Sequence, residues 1–172
     1  MSNDLLDQLR AAAYRGRGAK AASAGLPAGF AQIDDVIVLL QPLRLATAED
    51  ADETLASTLR RLAEKNFLTG TQAVGEGGVW AALVDGCATA GCGFHAELSE
   101  GEGANAFDAL LGERSGRALV STRPKAHLPL ANFVERGRVF TAEAIARVTA
   151  GDVRVRWMGV TVLEATALNQ LS

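Results

Sequence analysis

Residues 73–91 read Ala-Val-Gly-Glu-Gly-Gly-Val-Trp-Ala-Ala-Leu-Val-Asp-Gly-Cys-Ala-Thr-Ala-Gly. The first six form a Gly-rich turn that opens directly onto an apolar helix expected from Val79 to Ala90. Gly91 closes that helix, because glycine takes the left-handed conformation without steric cost. Trp80 and Leu83 share one helix face and are expected in the core. Next, Phe94-His95-Ala96-Glu97-Leu98 alternates apolar and polar residues with a period of two, so it reads as a strand with one wet face. His95 lies on that face and is expected to be solvated rather than catalytic.

Upstream, Asp35 to Leu40 is a near-continuous β-branched and leucine run of the kind buried on both faces, and Pro42 ends it. Thr47 with Asp50 three residues on makes a start resembling a capping box, and Leu55, Leu59 and Leu62 then recur on one helix face through Lys65. At the N-terminus, Ser2 or Asn3 caps a short helix bearing Leu5, Leu6, Leu9 and Ala12 or Ala13. Residues 16–29 read as a flexible, Gly- and Ala-rich linker. Residues 1–30 are thus expected as a helix and linker, and 31–172 as one domain.

Downstream, Ala106–Leu111 is a short helix, Gly112 to Arg117 a turn, and Ala118–Thr122 a strand. Pro124 starts a helix that Pro129 is expected to break, leaving His127 in a loop. Glu143–Thr149 and Val153–Trp157 flank Ala150-Gly151-Asp152, a β-hairpin signature, and a last helix is expected from Val162 to Gln170. The fold class is α/β (α+β), a mixed sheet of about five strands with helices packed on it.

Composition sets limits. At 172 residues the chain fits one domain that buries about 70% of its unfolded surface. The 48% hydrophobic content excludes a disordered chain, and 5% aromatic content leaves the core to Ala, Val and Leu. A net charge of −3 argues against non-specific binding to nucleic acid or anionic membrane. The charge is uneven, however: residues 33–112 carry −9 and residues 113–172 carry +4. No apolar run has the form of a signal peptide or a bilayer span, so a cytoplasmic location is expected. Cys87 and Cys92 lie five apart, neither a CxxC pair nor half of a zinc site, and are expected as small buried thiols.

The succession of these elements resembles the C-terminal domain of aminoimidazole ribonucleotide synthase and its relatives, over about residues 30–172. Within that superfamily two segments resemble phosphoribosylformylglycinamidine synthase. Its Asp-Val-Ser-Asp/Glu-Gly-Gly motif ahead of a helix corresponds to Ala73-Val74-Gly75-Glu76-Gly77-Gly78. Its Phe-Gly-Glu-Ser-x-Gly-Arg motif ahead of a strand corresponds to Leu111-Gly112-Glu113-Arg114-Ser115-Gly116-Arg117. The chain departs from the pattern at Ala73 and Gly75, which lack the family carboxylate and hydroxyl, and at Arg114, which replaces a Ser. A Leu-Gly-Gly-Ser-Glu-Tyr stretch after the first strand is also missing.

The resemblance implies a role in purine biosynthesis, in the ATP-dependent conversion of formylglycinamide ribonucleotide to its amidine. It places the active site between this domain and an N-terminal ATP-binding half, so the isolated chain is expected to be inactive, with no cofactor of its own. ATP and magnesium are implied only with a partner half. The candidate ligand-binding residues are Gly75, Glu76, Gly77, Gly78, Glu113, Arg114 and Arg117. Gly77 and Gly78 either leave N–H groups free for an anion at the helix start or form a close-packed turn in which glycine lets the helix approach the sheet. Glu113 and Arg117, four apart, also suit a mutual ion pair. The expected partners are an ATP-binding chain, a ribonucleotide, or a second copy covering exposed sheet edges. The alternative is a degenerate, non-catalytic paralogue that binds a nucleotide or a protein.

Overall fold

The computed structural model describes residues 7–12, 21–43 and 48–171. Helix α1 (residues 7–12) is followed by β1 (Val36–Pro42), α2 (Ala48–Glu64), β2 (Gly70–Ala73) and α3 (Gly78–Ala88). Then come β3 (Gly93–Leu98), α4 (Ala106–Leu111), β4 (Ala118–Thr122) and α5 (His127–Arg136). Strands β5 (Phe140–Thr149), β6 (Val153–Trp157) and β7 (Val160–Ala165) complete the chain with a 3-10 turn, Leu168–Gln170. The expected N-terminal cap and Thr47 lie outside the described residues.

One mixed sheet runs in the order β2-β4-β1-β5-β3-β6-β7, antiparallel except for β3 against β6. Seven strands replace the expected five. β2 is short and polar, and the presumed last helix is strand β7, built from Val160, Thr161 and Val162, whose β-branched side chains suit a pleated surface. Met158 and Gly159 turn β6 into β7 with φ of 49° and 78°, as a two-residue hairpin of the primed type requires. The hairpin expected between β5 and β6 does not form, because β3 lies between them. Gly93 makes that crossing possible: a Cβ there would sit 2.2 Å from the Asp152 carbonyl oxygen and 2.5 Å from Gly151, so the connection passes directly over the start of β3.

Both sheet faces are covered, but unequally. Ile37, Leu39, Phe94, Leu119, Val153 and Val155 share one core with α1, α3 and α4. Val36, Val38, Leu40 and Val120 share the other with Leu55, Leu59 and Leu62 of α2 and Leu130 and Val134 of α5. Trp80 and Leu83 are fully buried, as their helical spacing implies. Pro129 does not break α5. It is the third residue of the helix, where its missing N–H is one the first turn leaves unpaired in any case. His127 therefore begins a helix rather than occupying a loop.

Residues 21–30 are held along the sheet: Gly29 N–H donates to Thr71 O at 2.8 Å, Thr71 N–H to Pro27 O at 2.8 Å, and Phe30 is buried. Leu9 and Ala12 of α1 are also buried, and Trp80 Nε1 donates to Leu9 O at 2.8 Å. No helix among the described residues is long and apolar enough to cross a membrane.

Candidate functional site

Strand register decides which turns meet. β2 and β4 are antiparallel neighbours with Ala73 opposite Ala118. The turn that follows Ala73 and the turn that precedes Ala118 therefore emerge at the same end of the sheet. These are the two segments that the sequence singles out, and the structure joins them: Gly77 N–H donates to Glu113 Oε1 at 2.9 Å. A cleft of about 290 Å³ opens between them, lined by Asp52, Val74, Gly75, Glu113, Arg114, Ser115 and Gly116.

Each candidate residue has a distinct placement. Gly75 and Glu76 are exposed, so the Glu76 carboxylate faces solvent. Gly77 and Gly78 are buried with φ of 81° and 65°. A Cβ on Gly78 would lie 2.6 Å from Leu110 O, and one on Gly77 would lie 2.9 Å from Ala12 O. The two glycines thus let α3 begin in direct backbone contact with α1 and the end of α4. Their N–H groups are not free: Gly77 donates to Glu113, and Gly78 to Gly75 O at 3.0 Å. This differs from the expectation of an open anion site, because the chain's own carboxylate already occupies the helix start, where negative charge is favoured.

Glu113 and Arg117 do not pair with one another. Arg117 is 3% exposed and stitches its turn from within, its Nη2 donating to Gly112 O and its Nε to Arg114 O at 3.4 Å. Its Nη1 has no hydrogen-bond partner among the described residues. Burial, reinforced by the charge of Arg114, lowers the Arg117 pKa to about 10. Arg114 lines the cleft and pairs with Asp108 at 2.8 Å. Asp108 is held below the usual carboxylate range first by the Ala104 N–H and then by Arg114.

Asp52 escapes sequence reading. Its Oδ1 accepts from Gly116 N–H at 3.1 Å across 64 positions, so the start of α2 forms the third wall of the cleft. An acidic residue near the start of a helix is common enough to carry no signal of this role. The cleft therefore presents two carboxylates and one guanidinium, suited to a polar ligand with hydroxyl or amide donors and an anionic group. One oxygen of each cleft carboxylate accepts a backbone N–H, and no group of three or more His, Cys, Asp or Glu among the described residues is arranged to hold a metal.

Other polar groups lie elsewhere. On the sheet face beyond α5, His95 stands in register with Arg147 and Arg154, and Arg156 with Glu97; His95 pairs with Asp152, Arg154 with Glu164 and Arg156 with Glu97. At the far end of β5, Glu143 is raised above its ordinary pKa by burial and by the neighbouring Glu102 carboxyl.

No curated protein matches the chain significantly. Among solved structures, Thermotoga maritima PurL complexed with ATP superposes with a TM-score of 0.74 at 18% identity, over 85% of this chain and 27% of that one. The same protein complexed with FGAR gives 0.70 at 16% identity, over 85% and 29%. A chain of a HypE–HypF complex gives 0.55 at 14% identity, over 80% and 54%. The chain thus spans about a quarter of PurL's length. These likenesses establish the fold, with its mixed sheet and flanking helices. A family described as AIR synthase related protein, C-terminal domain, matches residues 32–158, most of the chain and both turns of the cleft, and the chain belongs to that family.

Proposed function

We propose that the chain is a PurL-like domain that works with a separate ATP-binding half in the ATP-dependent amidation of formylglycinamide ribonucleotide. The observation that carries this reading is the Gly77 to Glu113 hydrogen bond, which brings both family-like turns to one cleft. Asp52 and Glu113 are acceptors for ribose hydroxyl or amide donors, and Arg114 is a donor for an anionic group once it leaves Asp108. The uncommitted Nη1 of Arg117 behind the same turn supports an anion there. ATP and magnesium belong to the partner half on this reading.

The test is to mix the chain with an ATP-binding half encoded in the same genome, supply the ribonucleotide, ATP and ammonia, and follow ADP. Release that requires both chains supports the reading, and no release above either chain alone overturns it.

A second reading is a non-catalytic paralogue that binds a nucleotide or a protein. It draws on Ala73 and Gly75, which lack the carboxylate and hydroxyl of the family turn, and on the closure of the α3 start by Glu113. Calorimetric heat with purine ribonucleotides, without ADP release in the mixture, favours it.

A further inference from the structure

The end of α3 carries both cysteines of the chain in one turn. Cys92 N–H donates to Cys87 O at 3.2 Å and Gly91 N–H to Ala88 O at 3.1 Å, around Gly91 at φ 67°. This is a Schellman motif, whose six-to-one hydrogen bond folds the chain back so that the two bonded residues lie side by side. Apolar residues commonly occupy those two positions, but here both are cysteines.

Cys92 Sγ lies 3.4 Å from the Cys87 carbonyl oxygen and 3.0 Å from Phe30 O, and Cys87 Sγ lies 3.5 Å from Gly93 O. A fold-back of this kind brings Cα atoms within the separation of about 4.4–6.8 Å that a disulfide spans. Cys87 is fully buried and Cys92 is 5% exposed. A recess of about 300 Å³ lined by Val84, Ala88, Gly91 and Gly151 opens beside Gly91, the residue before Cys92.

We propose that Cys87 and Cys92 form a dithiol that a small peroxide closes into an intramolecular disulfide, with Cys92 as the attacking sulfur and Cys87 as the resolving one. In the first step the Cys92 thiolate attacks one peroxide oxygen. The O–O bond breaks, Cys92 becomes a sulfenic acid, and the other oxygen leaves as hydroxide or alkoxide and takes up a proton. In the second step Cys87 gives its proton to the departing hydroxyl and its sulfur bonds to Cys92 sulfur, releasing water. Two thiols are oxidised by two electrons in all, and the peroxide is reduced by two.

The surroundings suit these roles. The neighbouring Cys87 thiol holds the Cys92 pKa below its ordinary value, whereas Cys87 is pushed up by the same neighbour and by burial. Once Cys92 is a neutral sulfenic acid, the negative charge that keeps the proton on Cys87 is gone. Closure ties the end of α3 to the start of β3, beside the point where residues 150–152 cross Gly93.

The test uses the full chain, reduced, exposed to hydrogen peroxide, alkylated and digested with trypsin. Both cysteines fall in the peptide of residues 66–114. That peptide is expected to appear unalkylated and lighter by two hydrogens, and closure is expected to be about tenfold or more faster in the folded chain than in urea, because the fold holds the thiols together. In Cys87→Ser, dimedone should trap a sulfenic acid at Cys92. If Cys87→Ser does not fold, the folded-to-urea rate ratio of the unaltered chain decides alone. Two alkylatable thiols after peroxide, oxidation of Cys92 to the sulfinic acid with Cys87 still alkylatable, or equal closure rates in the folded and urea-treated chain would each overturn the proposal.

Discussion

Gly77 donates its backbone N–H to Glu113 Oε1 at 2.9 Å, and this bond between residues 36 positions apart holds the Gly-rich turn against the turn before β4. Glu113 acts as a helix cap delivered from a distance, a carboxylate at the positive end of α3. Replacing Glu113 by Ala is expected to cost about 1 kcal/mol, the usual loss for a removed N-terminal cap. In a chain of this size that lowers Tm by about 2–4 °C. Glu113→Gln keeps an acceptor and should lose less. Thermal melts of the two variants beside the parent check the order.

Gly78 and Gly75 sit three residues apart and make opposite predictions. Gly78 has φ 65° and no room for a Cβ, whereas a Cβ on Gly75 meets nothing within 4 Å. Gly78→Ala should therefore destabilise by about 2 kcal/mol or more, adding left-handed strain to a backbone clash. Gly75→Ala should remain within about 0.5 kcal/mol of the parent. Urea midpoints measure both.

Arg114 and Arg117 separate a surface role from a structural one. Arg117→Ala removes a buried guanidinium that satisfies two carbonyls of its own turn, so a loss of about 2 kcal/mol or more is expected. Arg114→Ala removes only an exposed pair with Asp108, so melting should be unchanged while ribonucleotide binding weakens. Calorimetric titration of the folded Arg114 variant tests the second half.

The elements that follow a single strong period were legible in the sequence. Ala106–Leu111 and Ala118–Thr122 lie where their residues place them, and Leu55, Leu59 and Leu62 face one core. Topology was not legible at β5 and β6, because a three-residue connection looks the same whether the strands pair or a third strand enters between them. The clue was Gly93, whose missing side chain lets the connection cross, and it lies 58 residues before Gly151. The β6–β7 turn was hidden because Met158 takes the left-handed position that Asn or Asp would have advertised. The cleft was half legible: its two turns stand out as motifs, but the bond that joins them and the Asp52 wall depend on strand order.

Glu102 and Glu143 predict a pH effect. Glu102 is buried and accepts from Ser99 N–H and Oγ, and burial beside that carboxyl raises the Glu143 pKa. A raised carboxyl binds its proton more tightly in the folded chain. Its stabilising contribution is complete below the unfolded value, about 4.3, and is lost as pH rises through the folded value. Glu143→Gln removes this penalty. Its Tm is expected to exceed the parent's at pH 7 to 8, and the difference should close as pH falls towards about 4.

On the proposed function the paired turns receive the ribonucleotide. Amide NMR of the labelled chain, titrated with formylglycinamide ribonucleotide in the presence of the ATP-binding half, reads this out residue by residue. Saturable shifts are expected at Gly75, Gly77 and Gly116, with residues on the distant face of β3 and β6 unmoved. Saturable shifts confined to that face, or no shift at the three glycines, would contradict the proposed function.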